Sequence, residues 1–172
     1  MIKKAVVRVC ILLLITLVAY YFYPEEKLPP DIKINSLVVL KSKRQLLAYS
    51  NGKLIKTYKI SLGRTPVGDK EYQGDGKTPE GIYCINDKNP NSSCYMNLGV
   101  SYPDQQDIER CKKTNKHTGG DIKIHGLLNG QGYIGKFHRW YDWTAGCIAV
   151  TNDEVEELYN AVEIGAKIEI KP

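Results

Sequence analysis

The spacing of hydrophobic residues divides the chain. From Val9 to Tyr23 they follow one another almost unbroken, behind Lys3 and Lys4. A continuous apolar run with a positive flank predicts a membrane-targeting segment whose basic end stays cytoplasmic. The run is short for a span of about 20 residues, and Ala5 to Val7 lengthen it if Arg8 snorkels. Its end, Ala19-Tyr20-Tyr21-Phe22-Tyr23-Pro24, lacks a small-x-small cleavage site and supplies aromatic rings of the kind that settle at a membrane surface. Residues 1–23 are therefore expected to be a signal anchor or signal peptide, the uncleaved anchor in the inner membrane being the favoured reading, with the rest of the chain exported. Cys10 lies inside the run without a lipobox and reads as a small hydrophobe. Residues 24–35, with Pro24, Pro29 and Pro30 among charges, predict a linker that lifts the domain off the membrane.

From Ser36 to Pro172 the pattern changes to short apolar runs and alternation. Leu37–Leu40 and Gln45–Tyr49 predict strands, and Asn51-Gly52 predicts a hairpin, because both residues tolerate positive φ. In the return strand, Leu54 to Leu62, Tyr58, Ile60 and Leu62 alternate with Thr57, Lys59 and Ser61. Gly63 to Gly81 holds five glycines, Pro66 and Pro79, which predicts a loop fixed by side-chain bonds from Asp75 and Thr78. A core strand is expected at Ile82–Ile85, then a long irregular stretch over Asn86 to Lys116 that walls the binding cleft. Ile122 and Ile124 alternate with Asp121, Lys123 and His125, so His125 faces away from the isoleucines. Thr151-Asn152-Asp153-Glu154 is a capping box. Val155, Leu158, Tyr159 and Val162 then share one helical face, with Glu156, Glu157 and Asn160 toward water. Gly165 is expected to stop that helix, and Lys167–Ile170 to close the fold as a strand. The domain is thus predicted to be mainly β with one late helix.

Charge and cysteine content add less. The 172 residues carry 24 basic and 19 acidic side chains, a net +5. No basic stripe or base-stacking motif accompanies that excess, so nucleic acid is not an expected partner. Cys84, Cys94 and Cys111 lie in a part expected outside the cytoplasm, where disulfides form. A Cys94–Cys111 pair would brace the long loop and a Cys84–Cys94 pair competes with it; the sequence leaves both open. Their spacing lacks the close pairs of a zinc site, so no metal is expected.

The chemistry concentrates in Asp142-Trp143-Thr144-Ala145-Gly146-Cys147-Ile148-Ala149-Val150, read with Ile124-His125-Gly126. Cysteine attacks as thiolate, and a neighbouring imidazole takes its proton. Cys147 is the candidate nucleophile and His125 the candidate general base and acid. Gly146 allows a sharp turn that brings its own amide, or that of Cys147, toward an oxyanion. His117 and His138 lack such a context; His138, near the approach to Cys147, could contact substrate but is expected to be structural or exposed.

Gly74-Asp75-Gly76-Lys77-Thr78-Pro79-Glu80-Gly81, then His125-Gly126, then Thr144-Ala145-Gly146-Cys147-Ile148 resemble, in that order, the L,D-transpeptidase catalytic domain (YkuD type) of bacterial cell-wall enzymes. The resemblance covers Ser36 to Pro172 and implies a β-sandwich-like fold with a helix after the catalytic cysteine. It further implies that the backbone carbonyl of Gly126 orients His125. The implied substrate is a peptidoglycan stem tetrapeptide, cut between the L-centre of diaminopimelate and D-alanine and passed to an amine without a cofactor. Thr144 is expected to stabilise the turn or touch substrate, and Trp143 and Arg139 are the further candidate substrate contacts. One position departs from the family: the commoner pattern has arginine two residues after the cysteine, and here it is Ala149. That leaves the acceptor open among a stem peptide, a protein lysine, a D-amino acid and water, the last giving an L,D-carboxypeptidase or amidase. A catalytically silent wall-binding module is the rival from another class, and the intact Cys147 and His125 argue against it. A papain-type protease has its cysteine before its histidine, the reverse of the order here.

Overall fold

The computed structural model describes residues 2–172. Helix α1 (Ile2–Phe22) contains a stretch, Lys3–Phe22, long and apolar enough to cross a membrane. Only its last turns meet the domain. Tyr20 and Tyr21 lie on Phe137 with ring centroids 5.9 and 5.4 Å apart, and the Tyr21 hydroxyl donates to the Tyr133 carbonyl at 2.8 Å. The segment that follows is not a free spacer. Leu28 and Ile32 pack against the core, and Glu25 pairs with Arg139 at 2.8 Å and Lys136 at 3.2 Å. Ile34, fully buried, already belongs to the first strand, so the folded domain begins ahead of Ser36.

Eight strands form one curled sheet in the order β3-β2-β1-β8-β4-β5-β6-β7. Strands β1 (Ile34–Leu40), β2 (Gln45–Ser50) and β3 (Lys53–Lys59) form an antiparallel meander. Asn51 (φ 49°) and Gly52 (φ 80°) make its hairpin turn. Tyr58, Ile60 and Leu62 are buried at alternate positions, as their spacing predicts. Beyond Lys59 the chain leaves β2 and crosses to the far edge, where Ser61 bridges Ala149 and Gly63 bridges Thr144. These bridges curl the sheet and bring the first hairpin to the strand that follows Cys147.

The stretch Asn86–Lys116 is more regular than its polarity predicts. It contains most of β4 (Gly81–Ser92), β5 (Tyr95–Val100) and helix α2 (Gln105–Lys113). Register shifts between Ile85 and Asp87 and between Asn89 and Ser92 break the period-two pattern, which hides the strand from a reading of alternation. Helix α2 starts at a capping box made by Asp104 and Asp107. Neither expected disulfide is present: all five cysteines are free, and the Cys111 thiol on α2 donates to the Glu71 carbonyl at 2.8 Å.

After β6 (Lys123–His125) and β7 (Ile148–Ala149), α3 (Asn152–Ala161) begins at the Thr151–Glu154 capping box. Val155, Leu158 and Ala161 bury its inner face. Glu157 turns to Lys56 at 2.5 Å instead of to water. The helix ends before Gly165. Strand β8 (Val162–Lys171) follows at once, and Gly165 (φ 86°) sits where its register with β1 slips between Val162 and Lys167. β8 runs between β1 and β4, carrying Ile168 and Ile170 into the core, where each buried aliphatic side chain contributes about 1.5–3 kcal/mol.

Candidate active site

Strand register sets the site. In β6, His125 pairs with Asn97 of β5 on one side and with Ala149 of β7 on the other. Directly paired residues share a face of the sheet, as do residues two apart on one strand. His125, Asn97 and Ala149 therefore face the same way, while Ile124, Ile148 and Leu98 enter the core on the opposite face, and Cys147 comes directly ahead of β7.

The imidazole is held by its own backbone neighbour. Its Nδ1 lies 2.7 Å from the Gly126 carbonyl oxygen, which only accepts, so Nδ1 carries the proton and Nε2 presents a lone pair. The Trp143 ring packs edge-on against the imidazole at 5.6 Å. Burial pushes the His125 pKa below its ordinary value, against the bond to Gly126, and the Lys123 charge pushes the same way as burial. The ring is thus neutral near pH 7.

Cys147 donates its thiol hydrogen to the Asp121 carbonyl at 3.3 Å, and Asp121 takes φ 58° to present that oxygen. Burial pushes the thiol pKa up, opposed by the Lys123 backbone amide. The resting pair is therefore thiol and neutral imidazole, which suits general-base catalysis. The turn before the sulfur is held from within. Thr144 Oγ1 accepts from the Gly146 amide at 3.1 Å and donates to the Cys147 carbonyl at 2.8 Å. Gly146 takes φ 138°, and a Cβ there would lie 2.7 Å from the Lys77 carbonyl oxygen.

The turn rests on the glycine-rich loop. Asp75, buried with Lys70 at 2.7 Å, accepts from the amides of Glu71, Tyr72 and Lys77. Burial opposes its ionisation, but Lys70 and the three amides outweigh it and hold the carboxyl below the usual range. Thr78 Oγ1 accepts from the Gly63 amide at 3.0 Å, and a Cβ on Gly63 would lie 3.1 Å from the Gly146 Cα.

The L,D-transpeptidase catalytic domain (YkuD) model matches residues 34–170. The chain belongs to that family. It is 28% identical over 111 residues to the "Putative L,D-transpeptidase YafK" of Escherichia coli (strain K12), an alignment covering 63% of this chain and 37% of YafK. Among solved structures, the helical cell shape determining protein Pgp2 from Campylobacter jejuni superposes with a TM-score of 0.60 at 27% identity, over 82% of this chain and 48% of Pgp2. An L,D-transpeptidase from Mycobacterium smegmatis superposes with a TM-score of 0.55 at 14% identity, over 79% of this chain and 58% of that one, a likeness of fold. The chain thus spans well under two thirds of the length of these relatives.

Within this L,D-transpeptidase domain, several residues sit differently from their sequence-based roles. The Gly146 amide, one of the two expected oxyanion donors, is already taken by Thr144. Thr144 is buried and acts on the turn. Arg139 is not available to a substrate carboxylate: its side chain is 5% exposed and its guanidinium is held by Glu25 at 2.8 Å and Glu154 at 2.7 Å. His138 is buried, and neither it nor Asn97 stood out in the sequence as a site residue. Asn97 lies in a polar stretch with no motif, and only strand pairing places it beside His125.

Proposed function

We propose that the protein is a membrane-anchored, extracytoplasmic peptidoglycan L,D-transpeptidase. The observation that supports this reading is the His125 Nδ1 to Gly126 carbonyl bond, which leaves Nε2 free to act as a base, on the strand that pairs with the one directly after Cys147. In the first step the Cys147 sulfur attacks the carbonyl that joins diaminopimelate to D-alanine, and its proton passes to His125 Nε2. The Cys147 amide receives the oxyanion. The proton then goes from His125 to the departing amine, D-alanine leaves, and a thioester remains. An acceptor amine, deprotonated by His125, attacks the thioester and frees the thiol, completing a crosslink. His125, Gly126 and Cys147 carry the chemistry, Thr144 and Gly146 shape the turn, and Trp143 lines the approach. Residues 1–23 would anchor the domain, in keeping with the apolar helix. A role in cell shape is in keeping with the printed name of Pgp2.

A hydrolytic reading is favoured by one observation. Ala149 is fully buried in β7 where the commoner pattern has arginine, so that position offers no cation to an acceptor. Intact-mass analysis of the full chain in detergent micelles with a diaminopimelate tetrapeptide muropeptide separates the two, beside Cys147→Ala. Loss of D-alanine with a crosslinked dimer is the expected result. Loss without the dimer makes the enzyme an L,D-carboxypeptidase, and no loss with Cys147 reduced overturns both.

A further inference from the structure

The position that departs from the family pattern is not empty space. Ala149 lies directly opposite Ser61, with backbone bonds of 3.0 and 2.8 Å between them, so the two side chains share a face. On Ser61 stands His138, drawn from the segment Gly132–Trp140. Ser61 Oγ is 2.8 Å from the His138 carbonyl oxygen and 3.2 Å from its Nδ1. A carbonyl only accepts, so the single hydroxyl hydrogen goes to it; Nδ1 must then carry its own proton and donate to Oγ. That fixes the tautomer and leaves Nε2 as a bare lone pair. This nitrogen is buried and has no partner, and neither has the buried Nε1–H of Trp143.

His138 and Trp143 line one small cavity of about 30 Å³, together with Leu127 and Ile134, and exposed Leu128, Gln131 and Tyr141 rim its mouth. About 10–15 Å³ holds one water, so there is room for a small polar group. No lysine or arginine lines it. A carboxylate would enter without a counter-ion and would meet the lone pair of Nε2, an arrangement of high desolvation cost. A carboxamide fits the pair, since its oxygen accepts from Trp143 Nε1–H while its N–H donates to His138 Nε2. Trp143 packs on His125, so the cavity adjoins the reacting centre.

We infer that His138 and Trp143 form a specificity subsite that takes a neutral amide of the substrate in the place of the carboxylate that a family arginine at position 149 would suit. The identity of that substrate as a stem peptide rests on the proposed function; the chemistry of the subsite does not. Burial, reinforced by the Arg139 and His125 charges, lowers the His138 pKa to about 3, so the ring stays neutral at any pH where the enzyme works.

The test has two parts, both on the full chain in micelles. In the first, the indole N–H signal of Trp143, assigned with a Trp140→Phe variant, is followed during titration with formamide and with formate. A shift with formamide alone supports the subsite. No shift with formamide, meaning a cavity that holds water only, or an equal shift with formate, overturns it. In the second, Cys147 acylation is timed with two tetrapeptides that differ only in a free or amidated side-chain carboxyl on diaminopimelate. The amidated peptide should react about tenfold faster, as one well-placed hydrogen bond allows. His138→Phe should bring the ratio near one, and His138→Gln should restore part of it. An equal or reversed preference in the unmodified chain overturns the inference. A formamide response with neither peptide reactive supports the subsite and overturns the stem-peptide reading alone.

Discussion

The Gly126 carbonyl oxygen lies 2.7 Å from Nδ1 of His125, so the group that orients the imidazole is the backbone of the next residue. A side-chain orienter can be deleted by mutation, but a carbonyl can only be moved. Gly126 is where that can be done. A Cβ there would lie 2.8 Å from Asn152 Oδ1, 3.1 Å from Val155 Cγ1 and 3.2 Å from the Cys94 carbonyl oxygen. Gly126→Ala must therefore displace the Asn152 side chain, which accepts from the Leu127 amide, or move the Gly126 backbone itself. The expected outcome is a loss of about 1–3 kcal/mol of stability, typical of overpacking. A fall in the acylation rate of the folded fraction, by ten- to a hundredfold as misplacement of a catalytic group produces, should accompany it. Unchanged acylation in a folded variant would show that the carbonyl does not position the ring.

The pH profile follows from the two lowered and raised groups. Burial depresses the His125 pKa and raises that of Cys147. The base form of His125 therefore persists below its ordinary value of about 6.5, and the acid limb of kcat/KM should fall below that pH. Alkylation of Cys147 by iodoacetamide should climb through pH 9 without a plateau near neutrality. A plateau beginning below pH 7 would mean a preformed thiolate–imidazolium pair.

Much of this site was legible because its chemistry is tied to short contiguous motifs. His125-Gly126 and Thr144–Cys147 carry both their reactive groups and the residues that shape their turns. The hairpin at Asn51-Gly52 and the cap at Thr151 were legible for the same reason, since each is set by residues within a few positions. What escaped depends on pairing between distant segments. β5 reads as a polar loop until its bulged register with β4 is known, so Asn97 had no address. His138 reads as structural or exposed until the curl of the sheet brings Ser61 to Ala149 and the buried ring is found hydrogen-bonded to Ser61. Arg139 fails in the opposite sense. Its nearness to Cys147 in sequence suggests substrate, whereas burial among Glu25 and Glu154 makes it a strut.

Removing that strut gives a sharp expectation. Glu154 is 5% exposed and caps the Thr151 amide at 2.9 Å, so Arg139→Ala leaves its carboxylate buried without a cation. Such a break costs about 3–5 kcal/mol. Thermal melting of Arg139→Ala should show that loss, and Arg139→Ala with Glu154→Gln should recover part of it. A variant that melts normally but shows a higher KM for the muropeptide would return Arg139 to substrate binding.

Glu25 ties residues 24–30 to the folded domain. A chain beginning at Asp31 lacks both Glu25 and Leu28, exposing Arg139 and the core surface that Leu28 covers. A chain beginning at Pro24 keeps both. The longer one should be the more stable by about 1–3 kcal/mol, combining one part-buried apolar side chain and one charged pair. Glu25→Gln in the longer chain should account for the ionic part. Equal melting temperatures would show that residues 24–30 are only a spacer.

Acid sensitivity should report His138 directly. Its folded pKa is lowered to about 3 by burial and by the charges of Arg139 and His125, while the unfolded value is about 6.5. Above pH 6.5 the ring is neutral in both states and adds no pH dependence. As pH falls through that value the unfolded chain takes up a proton that the folded chain refuses. Stability therefore declines by up to about 1.4 kcal/mol per pH unit, until the folded ring protonates near pH 3. His125, also depressed by burial, adds to the slope below its ordinary value. Chemical unfolding at pH 7, 6, 5 and 4 measures it, with His138→Gln beside the unmodified chain. The variant has no ring to protonate, so its stability should fall less steeply between pH 6 and pH 4, by about one proton. Parallel curves would mean that His138 reaches solvent and titrates normally in the folded protein, and a subsite built on its bare Nε2 would then have to be abandoned.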